Sequence, residues 1–262
     1  DESHQTFSAR WAKRVTERPV VALAGGLAVM LLIAVPALSM RTGMLDAGSR
    51  PESTTQRQAY DLLADGFGPG FNGPLQVVVA ADDPADLDTA VTAVTAEFEQ
   101  VGGVLAVAEP ITNPAGDTAV VPVIPRSAPA AAETQSLVHH LRHDVVPGIA
   151  EQSNTEIAVG GATAAQIDVA DKMNDALPVF MVLVVGLTFV LLMVVFRSLW
   201  VPLKAAVAIM LSIAASFGVL VAVFQWGWLR DLIGLEQTVP IVSFLPMIMF
   251  AILFGLSMDY EV

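Results

Sequence analysis

The chain of 262 residues carries a formal net charge of −13 and is 54% hydrophobic, with a mean hydropathy of +0.62. This composition excludes an ordinary soluble domain, and the negative charge argues against a nucleic-acid partner because a phosphate backbone would be repelled. The sequence contains no cysteine, which excludes a disulfide framework and thiol chemistry.

Four apolar runs, each close to the ~20 residues that cross a bilayer as a helix, predict four membrane spans. We assign the spans to residues 20–40, 176–196, 201–224 and 241–262. Residues 1–19 are basic and amphipathic, which is typical of a helix lying on the inner leaflet or of a simple basic flank. A secretory signal peptide is the alternative for the first run, but its apolar core exceeds the roughly 7–15 residues of such a signal.

The basic residues predict the orientation of these spans, since an excess of Lys and Arg marks the cytoplasmic side. They flank the first span and the short turn between the second and third spans, at Arg10, Lys13, Arg14, Arg18, Arg197 and Lys204. Residues 41–175, with six basic and 19 acidic side chains, then lie outside the cytoplasm, as does the loop 225–240. The pattern indicates a multi-pass protein of the cell membrane.

Residues 41–175 predict one small α+β domain between the first two spans. We expect strands at 75–81, 104–107, 118–124 and 155–159, and helices from Pro84 to about residue 101 and over 133–146, because the apolar period changes from two to 3.6. The order β-α-β-β-α-β is the ferredoxin-like arrangement, with both helices on one face of an antiparallel sheet. Upstream, Ser53 and Gln56 predict a capping box. Downstream, a helix over 162–174 leads into the second span.

Asp259 is the main candidate for chemistry, because it follows the apolar run that begins near Ile241. An ionised carboxylate in hydrocarbon is strongly disfavoured, so a membrane carboxylate is read as a group that binds and releases a proton. Tyr260 beside it can donate a hydrogen bond to a carboxylate or to water. The alternative is that the apolar run ends at Met258 and Asp259 marks the inner interface, since about 18 helical residues already cross a bilayer.

Other candidate residues give weaker signals. His139 and His143 have the i, i+4 spacing of metal ligands on a helix, but a solvated helix face without a third ligand is favoured, so we predict no metal site. Phe67 and Phe71 fit either the entrance for a hydrophobic substrate or packing within the domain. The glycine doublets do not match a phosphate loop, and we identify no cofactor-binding motif.

Several segments together resemble the MmpL family of the resistance-nodulation-division (RND) superfamily of transporters. The motif that carries most of the resemblance is Gly255-Leu256-Ser257-Met258-Asp259-Tyr260-Glu261-Val262, at the end of an apolar helix. Similar residues also occur at 45–52, 66–68, 159–163 and 196–198, and the order of spans and domain is similar to one RND repeat. The resemblance implies that Asp259 and Tyr260 form part of a proton relay within the membrane. It also implies that the chain corresponds to spans seven to ten of twelve, in the C-terminal repeat.

Two functional hypotheses from different classes follow. The first is part of a secondary active transporter, not an enzyme, that uses the proton-motive force to export lipids or hydrophobic small molecules. Its partners are protons, the lipid or hydrophobic substrate, the membrane and the remaining repeat. A homo-oligomer is also compatible with the sequence. The second is a membrane scaffold or sensor whose extracytoplasmic domain binds a partner, and an accessory component of protein export is a third reading. The resemblance supplies the substrate class.

Overall fold

The structure is a computed structural model that describes residues 15–235 and 237–259, without the side chains of Met258 and Asp259. Most of the predicted amphipathic segment 1–19 therefore lies outside the described residues. In chain order the helices and strands are α1 (Pro19–Ala34), α2 (Thr55–Phe67), β1 (Leu75–Ala80), α3 (Pro84–Gln100), β2 (Val104–Val107), β3 (Thr118–Pro125), α4 (Ala132–His140), α5 (Val146–Ser153), β4 (Glu156–Gly160), α6 (Ala162–Phe196), α7 (Trp200–Leu220), α8 (Arg230–Ile233) and α9 (Leu245–Asp259).

The chain divides into two compact units. The helical unit contains residues 1–41, 177–241 and 245–262, and the α/β unit contains Thr42–Ala176 with Val242–Phe244. Within the described residues, three helices are long and apolar enough to cross a membrane: Pro19–Ser39, Ala162–Phe196 and Trp200–Gln225. A shorter apolar helix begins at Leu245. The membrane character predicted from the sequence is thus accompanied by helices of suitable length.

The sheet of the α/β unit has the strand order β2-β3-β1-β4, and every pairing is antiparallel. In the centre of the sheet, Val77 of β1 lies between Val121 of β3 and Val159 of β4. A two-residue strand, Ile111–Thr112, extends the β2 side by pairing with β3. Because side chains alternate along a strand, this register places all three valines on the same face.

Helices cover that face of the sheet and complete one hydrophobic core. Leu75, Val77 and Val79 of β1 are fully buried, as are Val94 and Phe98 of α3. Asp83 caps α3, accepting a hydrogen bond from the N–H of Ala85 at 2.9 Å, as its position before Pro84 suggests. The apolar positions of α3 are thus buried in the core, as their helical spacing in the sequence predicts.

Two local predictions in this unit were wrong. The cap of α2 is Thr54, whose hydroxyl accepts a hydrogen bond from the N–H of Arg57, so the predicted capping box at Ser53 is displaced by one residue. The second domain helix also continues beyond residue 146. A π-helical turn, Leu141–Val145, joins α4 to α5, which runs to Ser153. The wide turn accommodates Pro147, which has no N–H to offer the preceding turn.

In the helical unit, α1 packs closely against α7 at Gly218. A Cβ at this position would lie 3.0 Å from the Cα of Ala34 and would overlap the carbonyl of Ile33. Gln225, at the end of a π-helical turn that follows α7, joins the same two segments: its side chain accepts from the N–H of Arg41 at 3.0 Å and donates to the carbonyl of Ser39 at 2.8 Å. The small residue Gly218 in the third span therefore permits close helix contact.

The fourth apolar run begins its helix later than predicted. Residues 241–242 are extended, and the N–H of Ile241 donates to the carbonyl of Arg41, so α9 begins at Leu245 rather than at residue 241. The described part of α9 has 15 residues, fewer than the ~20 that cross a bilayer.

Candidate functional site

Asp259 lies in α9, the helix formed by the fourth apolar run, and is the last residue of that helix that the structure describes. Its side chain and the whole of Tyr260 lie outside the described residues. The proton relay that the resemblance implies for this pair therefore stays a prediction. The structure does establish how α9 is held in the helical unit.

An aromatic cluster anchors one side of α9. Phe250 is fully buried and stacks on Phe254 one turn later, with ring centroids 5.4 Å apart. Phe180 of α6 meets Phe250 edge to face at 5.7 Å. Ile209 and Ile213 of α7 are buried in the same cluster. Aromatic contacts of this geometry add to the hydrophobic burial, so they fix the rotation of α9 about its axis.

The opposite side of α9 is exposed among the described residues. Ile248, Ile252 and Leu256 are exposed by 47%, 55% and 57%. At 100° per residue, position 259 is 180° from Phe250 and within 20° of both Ile248 and Ile252. The helical period therefore places position 259 on the face of α9 that the described helices leave uncovered.

The other residues singled out from the sequence lie in the α/β unit. Phe67 and Phe71 touch each other, with centroids 5.4 Å apart, but they are exposed by 64% and 37% and do not join the hydrophobic core. His139 and His143 stack at 6.1 Å. Within residues 15–235 and 237–259, no group of three or more potential ligands is close enough to hold a metal ion.

The sequence did not reveal a polar seam that joins α4 and the π-helical turn after it to α6. The guanidinium of Arg142 donates to both carboxylate oxygens of Asp168 and, through Nε and Nη2, to the carbonyl of Val159 at 3.0 and 2.7 Å. One turn away, Asp171 accepts from the amide of Gln135 at 2.9 Å and lies 3.1 Å from Nε2 of His139. The hydrogen bonds from Arg142 hold the pKa of Asp168 below its usual value. Only the spacing 135, 139, 142 would have suggested a shared helix face.

A second polar contact that the sequence did not reveal surrounds Tyr60 of α2. Burial raises the pKa of the Tyr60 phenol to about 12, and the negative charge and hydrogen bond of Asp46 act in the same direction. Nearby, Nε of Arg57 contacts both carboxylate oxygens of Asp61, at 2.7 and 2.9 Å. These contacts attach residues 46–50 to α2, because Arg57 also donates to the carbonyls of Gly48 and Arg50.

Long apolar helices with an α/β unit between the first and second of them define a membrane protein of the class in which a polar domain is inserted between spans. The family model described as "MMPL family" matches residues 73–262, which is most of the chain. The chain belongs to the MMPL family, as the sequence motifs predict.

Three relatives illustrate the similarity. Membrane protein YdfJ of Bacillus subtilis is 37% identical over the whole chain, and the chain covers 36% of that protein. The mycolic acid-containing lipids exporter MmpL11 of Mycolicibacterium smegmatis is 31% identical over the whole chain, which covers 28% of it. The trehalose monomycolate exporter MmpL3 of Mycobacterium tuberculosis is 25% identical, again with 100% of this chain and 28% of the relative. The chain thus spans about a third of the length of these relatives.

Proposed function

We propose that the chain is part of a membrane transporter that uses the proton-motive force to export lipids or hydrophobic small molecules. The observation that carries the proposal is a carboxylate, Asp259, in an apolar helix within the region matched by the MMPL family. A carboxylate is costly to hold in a membrane helix and marks proton pathways in transporters. Two relatives, named as exporters of mycolic acid-containing lipids and of trehalose monomycolate, support the substrate class.

The packing of α9 supports a relay that is shared with further helices. Phe250 and Phe254 hold one side of α9, while the face with Ile248, Ile252 and position 259 is uncovered in the described residues. Ionisable residues in membranes face the interior of a bundle or an aqueous cavity rather than lipid. We therefore propose that Asp259 faces helices of a second repeat and acts together with Tyr260, and that this chain supplies spans seven to ten of twelve.

For the α/β unit we propose a ferredoxin-like porter domain outside the cytoplasm. The antiparallel strand order β2-β3-β1-β4, with helices on one face, is what a β-α-β-β-α-β chain gives in that fold. The excess of acidic residues in this part of the chain and the basic residues beside the spans support the orientation. In this scheme the domain guides the substrate while the relay moves protons.

The test is lipid transport in proteoliposomes that contain this chain together with the rest of the transporter. A fluorescent lipid analogue and a pH-sensitive dye report both fluxes after a proton gradient is imposed. Asp259→Asn keeps the side-chain size and removes the titration, so it should abolish the proton-driven lipid flux and the accompanying proton flux. Asp231→Asn is the matched control, because Asp231 is 96% exposed and lies outside the long apolar helices.

The outcome separates the two functional classes. Loss of both fluxes in Asp259→Asn, with full activity in Asp231→Asn and unchanged folding by circular dichroism, supports the relay. Unchanged fluxes in Asp259→Asn would make that residue structural. The second candidate, a scaffold or sensor, is favoured by the exposed contact between Phe67 and Phe71, which is suited to binding an apolar partner.

A further inference from the structure

The seam between α4 and α6 contains a histidine in a setting suited to sensing pH. Nε2 of His139 lies 3.1 Å from Oδ2 of Asp171, and the two side chains are 42% and 30% exposed. The other oxygen of Asp171 accepts a hydrogen bond from the amide of Gln135 at 2.9 Å. That hydrogen bond orients the carboxylate of Asp171 toward the imidazole of His139. A side chain of α4 and a side chain of α6 are therefore in contact with a defined geometry.

We propose that His139 and Asp171 form a pH-sensitive link that holds α4 more firmly on α6 when the imidazole is protonated. A neutral imidazole offers Asp171 one ordinary hydrogen bond, whereas an imidazolium offers a charge-assisted bond. Histidine is the side chain that gains charge between about pH 8 and pH 5. The link therefore strengthens on acidification of the medium around the α/β unit.

Other charged groups lie close to the contact between His139 and Asp171. Asp171 is the nearest, and Asp168 on the same helix also interacts electrostatically with His139. Arg142 opposes both but is engaged by Asp168 and by the carbonyl of Val159. His143 stacks on His139 with a centroid distance of 6.1 Å, so its repulsion when charged acts over a longer distance than the 3.1 Å contact.

The link joins two elements that also share apolar burial and the hydrogen bond from Gln135 to Asp171. Leu137 and Val138 of α4 and Ala164 and Ile167 of α6 belong to one hydrophobic core. The helix that carries Asp171 continues without interruption to Phe196, through the apolar sequence of a candidate span. Protonation of His139 thus changes how strongly α4 binds the first part of that helix. This role does not depend on Asp259.

The same helix offers a matched control. Nδ1 of His140 lies 2.7 Å from Oδ2 of Asp144, four residues along the chain, and both side chains are exposed by more than half. This pair has the same chemistry as His139 and Asp171 but does not join α4 to α6. A change at His140 therefore tests whether any histidine–aspartate pair on this helix would give the same result.

The experiment is hydrogen exchange of the full chain in detergent, read by mass spectrometry over peptides from residues 132–153. Wild type, His139→Gln and His140→Gln are measured at about pH 5.5 and about pH 7.5. Each variant is compared with wild type at the same pH, so that the pH dependence of the intrinsic exchange rate cancels from the ratio. For a partly exposed pair, wild type should be protected about two- to four-fold more than His139→Gln at the lower pH. At the higher pH the difference should largely vanish.

The proposal would be overturned if the protection of wild type relative to His139→Gln were the same at both pH values. The same pH dependence in His140→Gln would also overturn it, because that pair does not bridge the helices. Asp171→Asn provides the second variant if His139→Gln does not fold, as judged by circular dichroism. It keeps an acceptor for His139 but removes the charge, and it should show the same loss of protection confined to the lower pH.

Discussion

The close approach of α1 to α7 at Gly218 gives the most direct test of the helical unit. The position of a Cβ on residue 218 is 3.0 Å from the Cα of Ala34 and closer still to the carbonyl of Ile33. Both neighbours are backbone atoms, which cannot rotate away as a side chain would. Gly218→Ala therefore requires the two helices to move apart, although it adds only one methyl group.

The magnitude follows from two opposing effects. Replacing glycine by alanine within a helix gains ~0.8–1 kcal/mol of helix propensity. Overpacking of a well-packed contact costs about 1–3 kcal/mol, and an overlap with backbone belongs near the upper end of that range. The net loss is about 1–2 kcal/mol, which corresponds to a fall in Tm of about 2–8 °C for a chain of this size.

The assay is thermal unfolding of the purified chain in detergent, followed by far-ultraviolet circular dichroism. Gly186→Ala in α6 is the matched control, because no atom lies within 4 Å of the position of its Cβ. That variant gains helix propensity without a clash, so its Tm should stay constant or rise. If Gly218→Ala and Gly186→Ala changed the Tm equally, the close packing of α1 on α7 would be refuted.

Two further predictions concern pH in the α/β unit. Asp46→Asn should lower the pKa of Tyr60 from about 12 toward 10.0 without reaching it, because burial is the larger cause of the shift. The measurement is the ultraviolet absorbance of the phenolate in a Tyr260→Phe background. Since the folded state favours the neutral phenol, the stability that Tyr60 contributes is complete below pH 10 and is lost as the pH approaches 12. Asp168→Asn should destabilise by about 0.5–1 kcal/mol at neutral pH, a value discounted for exposure; because the pKa of Asp168 is lowered in the folded state, the difference in Tm from wild type should disappear as the pH falls through that lowered pKa.

The fold was predictable wherever the signal is local in sequence. Alternating valines at 77 and 79 and the helical spacing of Val94 and Phe98 depend on near neighbours, so the strand and helix limits agree within a few residues. The π-helical turn before α5 was missed because a proline is ordinarily read as the end of a helix. The capping box failed for a similar reason, since Ser53 and Thr54 are both suitable caps and only the three-dimensional path selects one.

The candidate site shows the same division between local and tertiary information. Asp259 could be proposed from the sequence because one carboxylate after an apolar run stands out there. The contact between His139 and Asp171 joins residues 32 positions apart, and the sequence offers no sign that they meet. Sequence spacing suggested a pairing of His139 with His143, yet the nearest ionisable partner of His139 lies on another helix.

The proposed proton relay at Asp259 requires the second repeat for a physical reason. Phe250 and Phe180 fix the rotation of α9, and that rotation turns position 259 away from the helices of this chain that the structure describes. An ionised carboxylate on such a face requires either water or further protein to cover it. If Asp259 is at the membrane edge, water suffices, and Asp259→Asn leaves transport unchanged. If it is a relay, another helix must supply the cover, and transport then requires the rest of the transporter.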